Sequence, residues 1–334
     1  TLTMSTTTAD INKADAAIVV TGYSGVYDDV THRASGTVTG VAGDLAAIGS
    51  SLDLGVGFAD APGGTATWSF LGGTNYNDQS GSVAIVIAKA DATIDVLGYS
   101  GTYDAAAHGA TIGGVTGVAG DLAATGSVLT LGGETFTDVT GGTATWSFLG
   151  GTNYNDASGS VAIVIAKADA TINVLGYSGV YDGVADQASG TATGVLGEGL
   201  AGLDLSGTSH INAGTYSDIW TFTDVTGNYN NASGTVINVT DKAVATVTVL
   251  GYTGVYDAAA HGATLGGVTG VAGDLAATGS VLTLGGETFT DALGGTATWS
   301  FSGGINYNDQ SGSVAIVIAK ATVTITGTGQ NGSG

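Results

Sequence analysis

The side chains able to do chemistry recur at fixed spacing. Every lysine lies at one repeated position: Lys13, Lys89, Lys167, Lys242 and Lys320. Thirteen residues before each of the last four stands a tyrosine in an Asn-Tyr-Asn turn: Tyr76, Tyr154, Tyr229 and Tyr307. Carboxylates recur with them. Asp28, Asp104, Asp182 and Asp257 each close a Gly-Tyr-x-Gly-x-Tyr-Asp motif, while Asp15, Asp91 and Asp169 follow the lysines. Calcium takes about six to eight oxygens from carboxylates, carbonyls and water. A junction Asp near loop Asp residues of the adjoining repeat could supply part of such a set, so these seven form the candidate calcium ligands. The competing reading makes them turn formers, because Asp and Asn bond their own backbone.

The other constellations are thinner. His32, His108 and His261 each follow an Asp by four residues, and two ligands make an incomplete transition-metal site. An isopeptide bond requires a lysine desolvated enough to lose its proton. A boundary Lys beside Asp is poorly placed for that and reads instead as a charge ending an aggregation-prone strand. A catalytic triad needs nucleophile, base and orienting group together. No such set, no Gly-x-Ser-x-Gly and no phosphate loop stands in the right context, so the chain reads as non-catalytic with no cofactor beyond the calcium considered above.

These residues sit in a long internal repeat. Successive lysines are 76, 78, 75 and 78 residues apart, a period suited to a small domain rather than a solenoid turn. The expected division is 1–13, the closing strand of a preceding repeat; 14–89, repeat one; 90–167, repeat two; 168–242, a diverged repeat three; 243–320, repeat four; and 321–334, the start of a further repeat or a tail. The chain thus reads as a segment of something longer. Each repeat carries one tryptophan, Trp68, Trp146, Trp220 or Trp299, on an alternating run such as Gly-Thr-Ala-Thr-Trp-Ser-Phe-Leu. Period two marks a half-buried strand. The four tryptophans and the four Asn-Tyr-Asn tyrosines are therefore the expected core. The closing run Val-Ala-Ile-Val-Ile is apolar on both faces, as for a strand covered on both sides or central in its sheet. Only Val-Ala-Gly-Asp-Leu-Ala-Ala, residues 118–124 and its copies, offers a helical turn. Repeat three departs from the others, with Asp186 in place of the histidine and Tyr216 ahead of its Trp.

Composition narrows the class. The 334 residues include 59 Gly, one Pro and no Cys, and only 10% are charged. Strands and turns are favoured, and disulfide or thiol chemistry is excluded. A net charge of −22 leaves no basic footprint for nucleic acid and opposes anionic membranes. The longest apolar run falls far short of a membrane span, so no membrane insertion is expected.

The Tyr-x-Gly-x-Tyr-Asp start, the Trp strand, Gly-Gly-Thr-Asn-Tyr-Asn-Asp and the closing Ile-x-Ile-x-Lys-Ala together resemble the YDG/MBG-type, bacterial Ig-like tandem repeats of large bacterial extracellular adhesin-like proteins. The likeness spans all four repeats. It implies an extracellular or cell-surface location and a stalk or extender role. Short strands with intervening turns independently predict an all-β chain: a tandem array of four Ig-like β-sandwich domains forming an elongated rod, with β-grasp-like units as the alternative. The function expected is a structural module of a surface adhesin or extracellular fibre, whose partners are further repeats of the same polypeptide. One alternative is a glycan-binding module using exposed Tyr and Asn turns. Another is a filament subunit in which residues 1–13 of one copy complete the sheet of the next by donor-strand exchange.

Overall fold

The computed structural model describes residues 2, 4, 9–118, 121–272, 274 and 276–327. The chain divides into two compact units, Thr1–Lys167 and Ala168–Gly334.

In the first unit the opening repeat contributes six strands: β1 Ala17–Thr21, β2 Tyr23–Val26, β3 Ser35–Thr39, β4 Ser51–Asp53, β5 Gly63–Leu71 and β6 Gln79–Ala88. β1 pairs antiparallel with β3. The other four form a sheet in the order β2-β6-β5-β4, with β2 parallel to β6 and the remaining pairs antiparallel. β1 and β2 are one extended run that changes sheets at Gly22. A Cβ there would lie 2.0 Å from the Ala84 carbonyl oxygen, so only glycine lets the chain pass so close to β6. The two sheets face each other as a sandwich. β5 turns Ala66 and Phe70 inward and β6 turns Ile85 and Ile87 inward, all buried, while Ile18 of β1 and Val38 of β3 pack from the other side.

The second repeat follows the same plan. Thr93–Leu97 pairs with Thr111–Thr116, and Val128–Leu131, Gly142–Leu149, Ala157–Ala166 and Tyr99–Thr102 make the four-stranded sheet. His108–Gly109 adds a short pairing with Thr135–Phe136. The apolar core does not stop at the repeat boundary: Ile87 and Tyr27 of the first repeat belong to one buried cluster with Phe148 and Tyr154 of the second.

The second unit repeats the scheme twice. Its first half has Thr171–Leu175 with Ser189–Thr193, and the sheet Ser178–Val180, Ala232–Asp241, Gly214–Phe222 and Leu203–Asp204. Its second half has Thr246–Leu250 with Thr264–Thr269, the sheet Tyr252–Val255, Gln310–Ala319, Gly295–Ser302 and Val281–Leu284, and the short pair His261–Gly262 with Thr288–Phe289. The chain is thus all-β, a tandem of Ig-like β-sandwiches.

Several expectations are corrected. Among the described residues there is no α-helix, which removes the β-grasp alternative; the described part of 118–124 forms turns, and residues 119 and 120 lie outside the described set. No strand forms in the described part of 1–13 (2, 4 and 9–13), nor over 321–327; residues 1, 3, 5–8 and 328–334 lie outside the described set. The closing strands are central, each flanked by two others, but are not covered on both faces: Val86, Val164 and Val317 are about half exposed. The four tryptophans hold equivalent positions yet are only half-buried. Each lies over a glycine of the neighbouring strand, Gly81, Gly159, Gly234 or Gly312, where a Cβ would come within 2.7 Å of the ring. The phenylalanine two residues further on, Phe70, Phe148, Phe222 or Phe301, fills the centre instead.

Candidate functional site

The Asn-Tyr-Asn tyrosines are buried, with Tyr76, Tyr154, Tyr229 and Tyr307 exposed by 2%, 0%, 1% and 0%. A buried phenol needs a partner, and each donates its hydroxyl proton to a carboxylate. Tyr76 reaches Asp44 Oδ2 at 2.6 Å, Tyr154 reaches Asp121 at 2.5 Å, Tyr229 reaches Glu198 at 2.5 Å and Tyr307 reaches Asp274 at 2.6 Å. The phenolic oxygen in turn accepts a backbone N–H from Val41, Val118, Val195 or Val271. Asp121 also takes the N–H and hydroxyl of Thr125, so it caps the turn it sits on. The phenol holds the carboxyls of Asp44, Asp121, Glu198 and Asp274 below their usual range. Burial, then the adjacent carboxylate, pushes Tyr154 and Tyr307 up to about 12. The sequence reading missed these acids. Their signal was available: they precede the tyrosine by 32, 33, 31 and 33 residues, and the shortest spacing goes with the longer Glu.

A second set of contacts surrounds the same turn and belongs to the preceding segment. Ala14, Ala90, Ala168 and Ala243 form parallel bridges to Tyr76, Tyr154, Tyr229 and Tyr307. The lysine before them reaches forward: Lys13, Lys89 and Lys242 donate Nζ to the carbonyls of Gly73, Gly151 and Gly304 at 2.8, 2.6 and 2.6 Å. The junction acids accept from the residue after the tyrosine, Asp15 from Asn77, Asp91 from Asn155 and Asp169 from Asn230. Within each unit the earlier repeat adds two more groups. Tyr27 meets Tyr154 edge-on with ring centres 5.6 Å apart, and Tyr181 meets Tyr307 in the same way at 5.6 Å. Asn153 accepts the Ala61 N–H at 3.0 Å and donates to Asp60 at 2.8 Å. Asn306 likewise accepts the Ala213 N–H at 2.9 Å and donates to Asn212 at 3.2 Å.

The remaining candidate calcium ligands lie elsewhere. Asp28, Asp104 and Asp257 each bond Nε2 of the histidine four residues on, all at 2.9 Å. An ionised carboxylate only accepts, so Nε2 carries the proton, and that hydrogen bond holds the three carboxyls below their usual range. Each imidazole stacks on the first tyrosine of its motif: His32 on Tyr23, His108 on Tyr99 and His261 on Tyr252, 3.6 to 3.7 Å apart. Asp28, Asp104, Asp182 and Asp257 also accept the N–H two residues ahead, the bond that makes Asp a turn former. The seven candidate acids are thus engaged one by one with Asn, His or backbone partners. Among the described residues no three or more His, Asp or Glu gather in metal-ligating geometry.

The third repeat moved this chemistry. Where the others pair His with Phe across a short bridge, it pairs Asp186 with His210. His210 stacks on Tyr216 at 3.6 Å and bonds both oxygens of Asp218 at 2.9 Å. Burial alone would raise the Asp218 carboxyl, but hydrogen bonds from Asn238 and His210 hold it below its usual range. Asn238 and Thr240 occupy the places of Ile85 and Ile87. The buried Asn238 amide donates to Asp218 at 2.8 Å and to the Thr208 carbonyl at 3.1 Å, and accepts the Tyr177 N–H at 2.7 Å. Every group in this network has a partner, which is the condition for a polar core to be tolerated.

No protein-family model and no curated protein matches the sequence. Solved structures similar to it include protocadherin gamma B2 extracellular cadherin domains 3–6, at 9% identity and a TM-score of 0.25, covering 92% of this chain and 100% of that one. Sidekick-1 immunoglobulin domains 1–5 are similar at 9% identity and a TM-score of 0.27, over 92% and 78% of the two chains. Domains 4–9 of the surface layer protein SbsC are similar at 12% identity and a TM-score of 0.21, over 90% and 66%. At such scores the fold is read from the strands themselves.

Proposed function

We propose that the chain is a non-catalytic structural module of an extracellular, cell-surface adhesin or fibre, as its resemblance to YDG/MBG-type bacterial repeats suggests. The observation that carries this reading is the junction. Lys, Asp, Asn and Tyr, the side chains with the most chemistry to offer, are spent on fastening one repeat to the next. A lysine clamp, an asparagine that accepts a backbone N–H from the preceding repeat and a tyrosine contact recur with the same partners in both units. The glycan alternative loses its platform, because the tyrosine rings meant to stack on sugar are buried beneath their own turn.

Pulling on the full chain from its two ends tests the reading. A load-bearing module unfolds in discrete steps at forces that fall when Lys89→Ala and Asn153→Ala remove the clamp. Forces unchanged by both substitutions, or saturable binding of the unmodified chain on a glycan array, would overturn it.

A further inference from the structure

The third repeat alters one turn in two ways, and both act on the same bond. In every repeat the Asp that closes the Gly-Tyr-x-Gly-x-Tyr-Asp motif accepts the N–H two residues ahead. The residue between has positive φ: Asp29 at 62°, Ala105 at 63°, Gly183 at 84° and Ala258 at 62°. Asp182–Gly183 is the sole Asp-Gly step in the chain. The first change is this glycine, since the other three turns carry a Cβ on the residue joined to the Asp. The second is the loss of the imidazole. Asp28, Asp104 and Asp257 each bond a histidine Nε2 at 2.9 Å. In the third repeat Asp186 takes the histidine's place and accepts the Tyr177 hydroxyl instead. Asp182 itself is exposed and accepts the Val184 N–H at 2.8 Å.

An Asp carboxyl can be attacked by the nitrogen of the peptide bond that follows it. The Gly183 nitrogen forms a bond to Asp182 Cγ and gives up its proton, and the carboxyl hydroxyl leaves as water, closing a cyclic succinimide. Water then reopens the ring. When it breaks the bond from that nitrogen to the Asp182 α-carbonyl carbon, the chain continues through Cβ and Cγ, and the α-carboxylate is left as the side group. One water leaves and one returns, so the product, isoaspartate, is an isomer of the starting chain. Hydroxide is a poor leaving group, so the ring closes from the neutral acid. The histidine bond holds Asp28, Asp104 and Asp257 below the usual carboxyl range and thereby protects them. A Cβ on the following residue protects them again, by hindering the approach of its nitrogen. Asp182 has neither protection, and its exposure admits the water.

We propose that Asp182–Gly183 is a modification site, at which the chain isomerises spontaneously to isoaspartate and so loosens the third repeat from the fourth. The bond lies on the contact between these two repeats. Tyr181, just before it, meets Tyr307 edge-on and donates its N–H to the Asp241 carbonyl at 2.9 Å. Gly183, just after it, lies against the fourth repeat, where a Cβ would stand 3.5 Å from the Ala272 carbonyl oxygen. An extra backbone atom between these two contacts is absorbed only by moving one of them. The inference rests on the chemistry of this turn and is independent of the structural role proposed above.

Ageing the full chain in warm, mildly acidic buffer tests it. Cleavage after lysine yields one peptide per repeat, so electron-transfer fragmentation reads Asp28, Asp104, Asp182 and Asp257 separately in one sample. Isoaspartate should accumulate at Asp182 ahead of the other three. Gly183→Ala should lose most of that accumulation and still fold, since Ala105 and Ala258 hold the same place at positive φ. Asp182→Asn should reach the same ring faster, with ammonia as the leaving group. In calorimetry the aged unaltered chain should show a lowered transition that aged Gly183→Ala lacks. Isoaspartate no more abundant at Asp182 than at the other three, or equally abundant in Gly183→Ala, overturns the assignment. An aged chain that carries the isomer and melts as before overturns its effect on the junction.

Discussion

The phenol–carboxylate lock decides how a single residue change propagates. Tyr154→Phe removes the donor to Asp121 while Thr125 continues to supply two, so the acid is not stranded. The expected loss is about 1 kcal/mol, the low end for a broken buried hydrogen bond, read as a shift in the urea midpoint with unchanged slope. Asp121→Ala removes the turn cap as well and should cost about 2–3 kcal/mol. The pH dependence has two limbs. Asp44, Asp121 and Asp274 sit below the ordinary carboxyl value of 3.8, so their contribution is present above that value and is lost as pH falls through the lower folded value. Tyr154 and Tyr307 are raised from 10.0 to about 12, so theirs is complete below 10 and is lost as pH rises toward 12. Ultraviolet titration should find these phenols ionising only as the fold opens. Midpoints flat across both limbs in Tyr154→Phe and the unaltered chain alike would show that the lock contributes nothing. The tyrosine was legible in the sequence as a core residue because it recurs in a polar turn beside glycines. Its acid was not, because a partner more than 30 residues away announces itself only through spacing.

At the scale of the strand, glycine does what the alternation of side chains cannot. Gly98, the counterpart of Gly22, has Ala162 O only 2.2 Å from where a Cβ would stand. Gly98→Ala should therefore prise the opening strand from the sheet it has just joined, costing about 1–3 kcal/mol or more, as overpacking does, and hydrogen exchange should rise over Tyr99–Thr102 first. Gly159→Ala pushes instead on the flat of Trp146, whose Cζ2 is 2.6 Å from the new methyl position. The expected result is red-shifted tryptophan emission with a smaller stability loss, since a half-buried ring can yield. Period-two alternation gave the correct inward face of Gly142–Leu149, with Ala144 and Phe148 buried. It could not rank depth along that face. The Trp ranks below the Phe because a glycine opposite lets its large ring lie along the sheet rather than into the sandwich. The supposed helical turn failed for a related reason: its Asp is committed to a distant tyrosine and to capping its own turn, and φ is positive at Ala47, Ala124 and Ala277, which ends any helical run.

Within each unit, stability is shared between the two repeats, because Tyr27 and Ile87 belong to the same buried cluster as Tyr154 and Phe148, and Tyr181 to that of Tyr307 and Phe301. Replacing Tyr27 and Tyr154 singly and together should give a coupling of about 0.5–1.5 kcal/mol in a double-mutant cycle, the range for an aromatic pair, and Tyr27→Ala should show in calorimetry as one transition resolving into two. That the repeats are joined by side chains was not legible from composition, since the boundary lysine reads equally well as a solubilising charge. The third repeat carries a different kind of information. Its closing strand brings Asn238 and Thr240 where the second and fourth bring Ile163, Ile165, Ile316 and Ile318. If that strand docked into another repeat's sandwich, Asn238 would lose Asp218 and bury an amide against apolar neighbours such as Ala297 and Phe289. If an isoleucine strand docked in the third repeat, Asp218 would keep His210 but lose the amide beside it. Either error leaves a buried polar group short of a partner, at about 1–3 kcal/mol each. Repeats two and four, nearly the same text, are thus separated by one written in another alphabet. The third repeat therefore penalises the exchange of a closing strand with the repeat on either side of it.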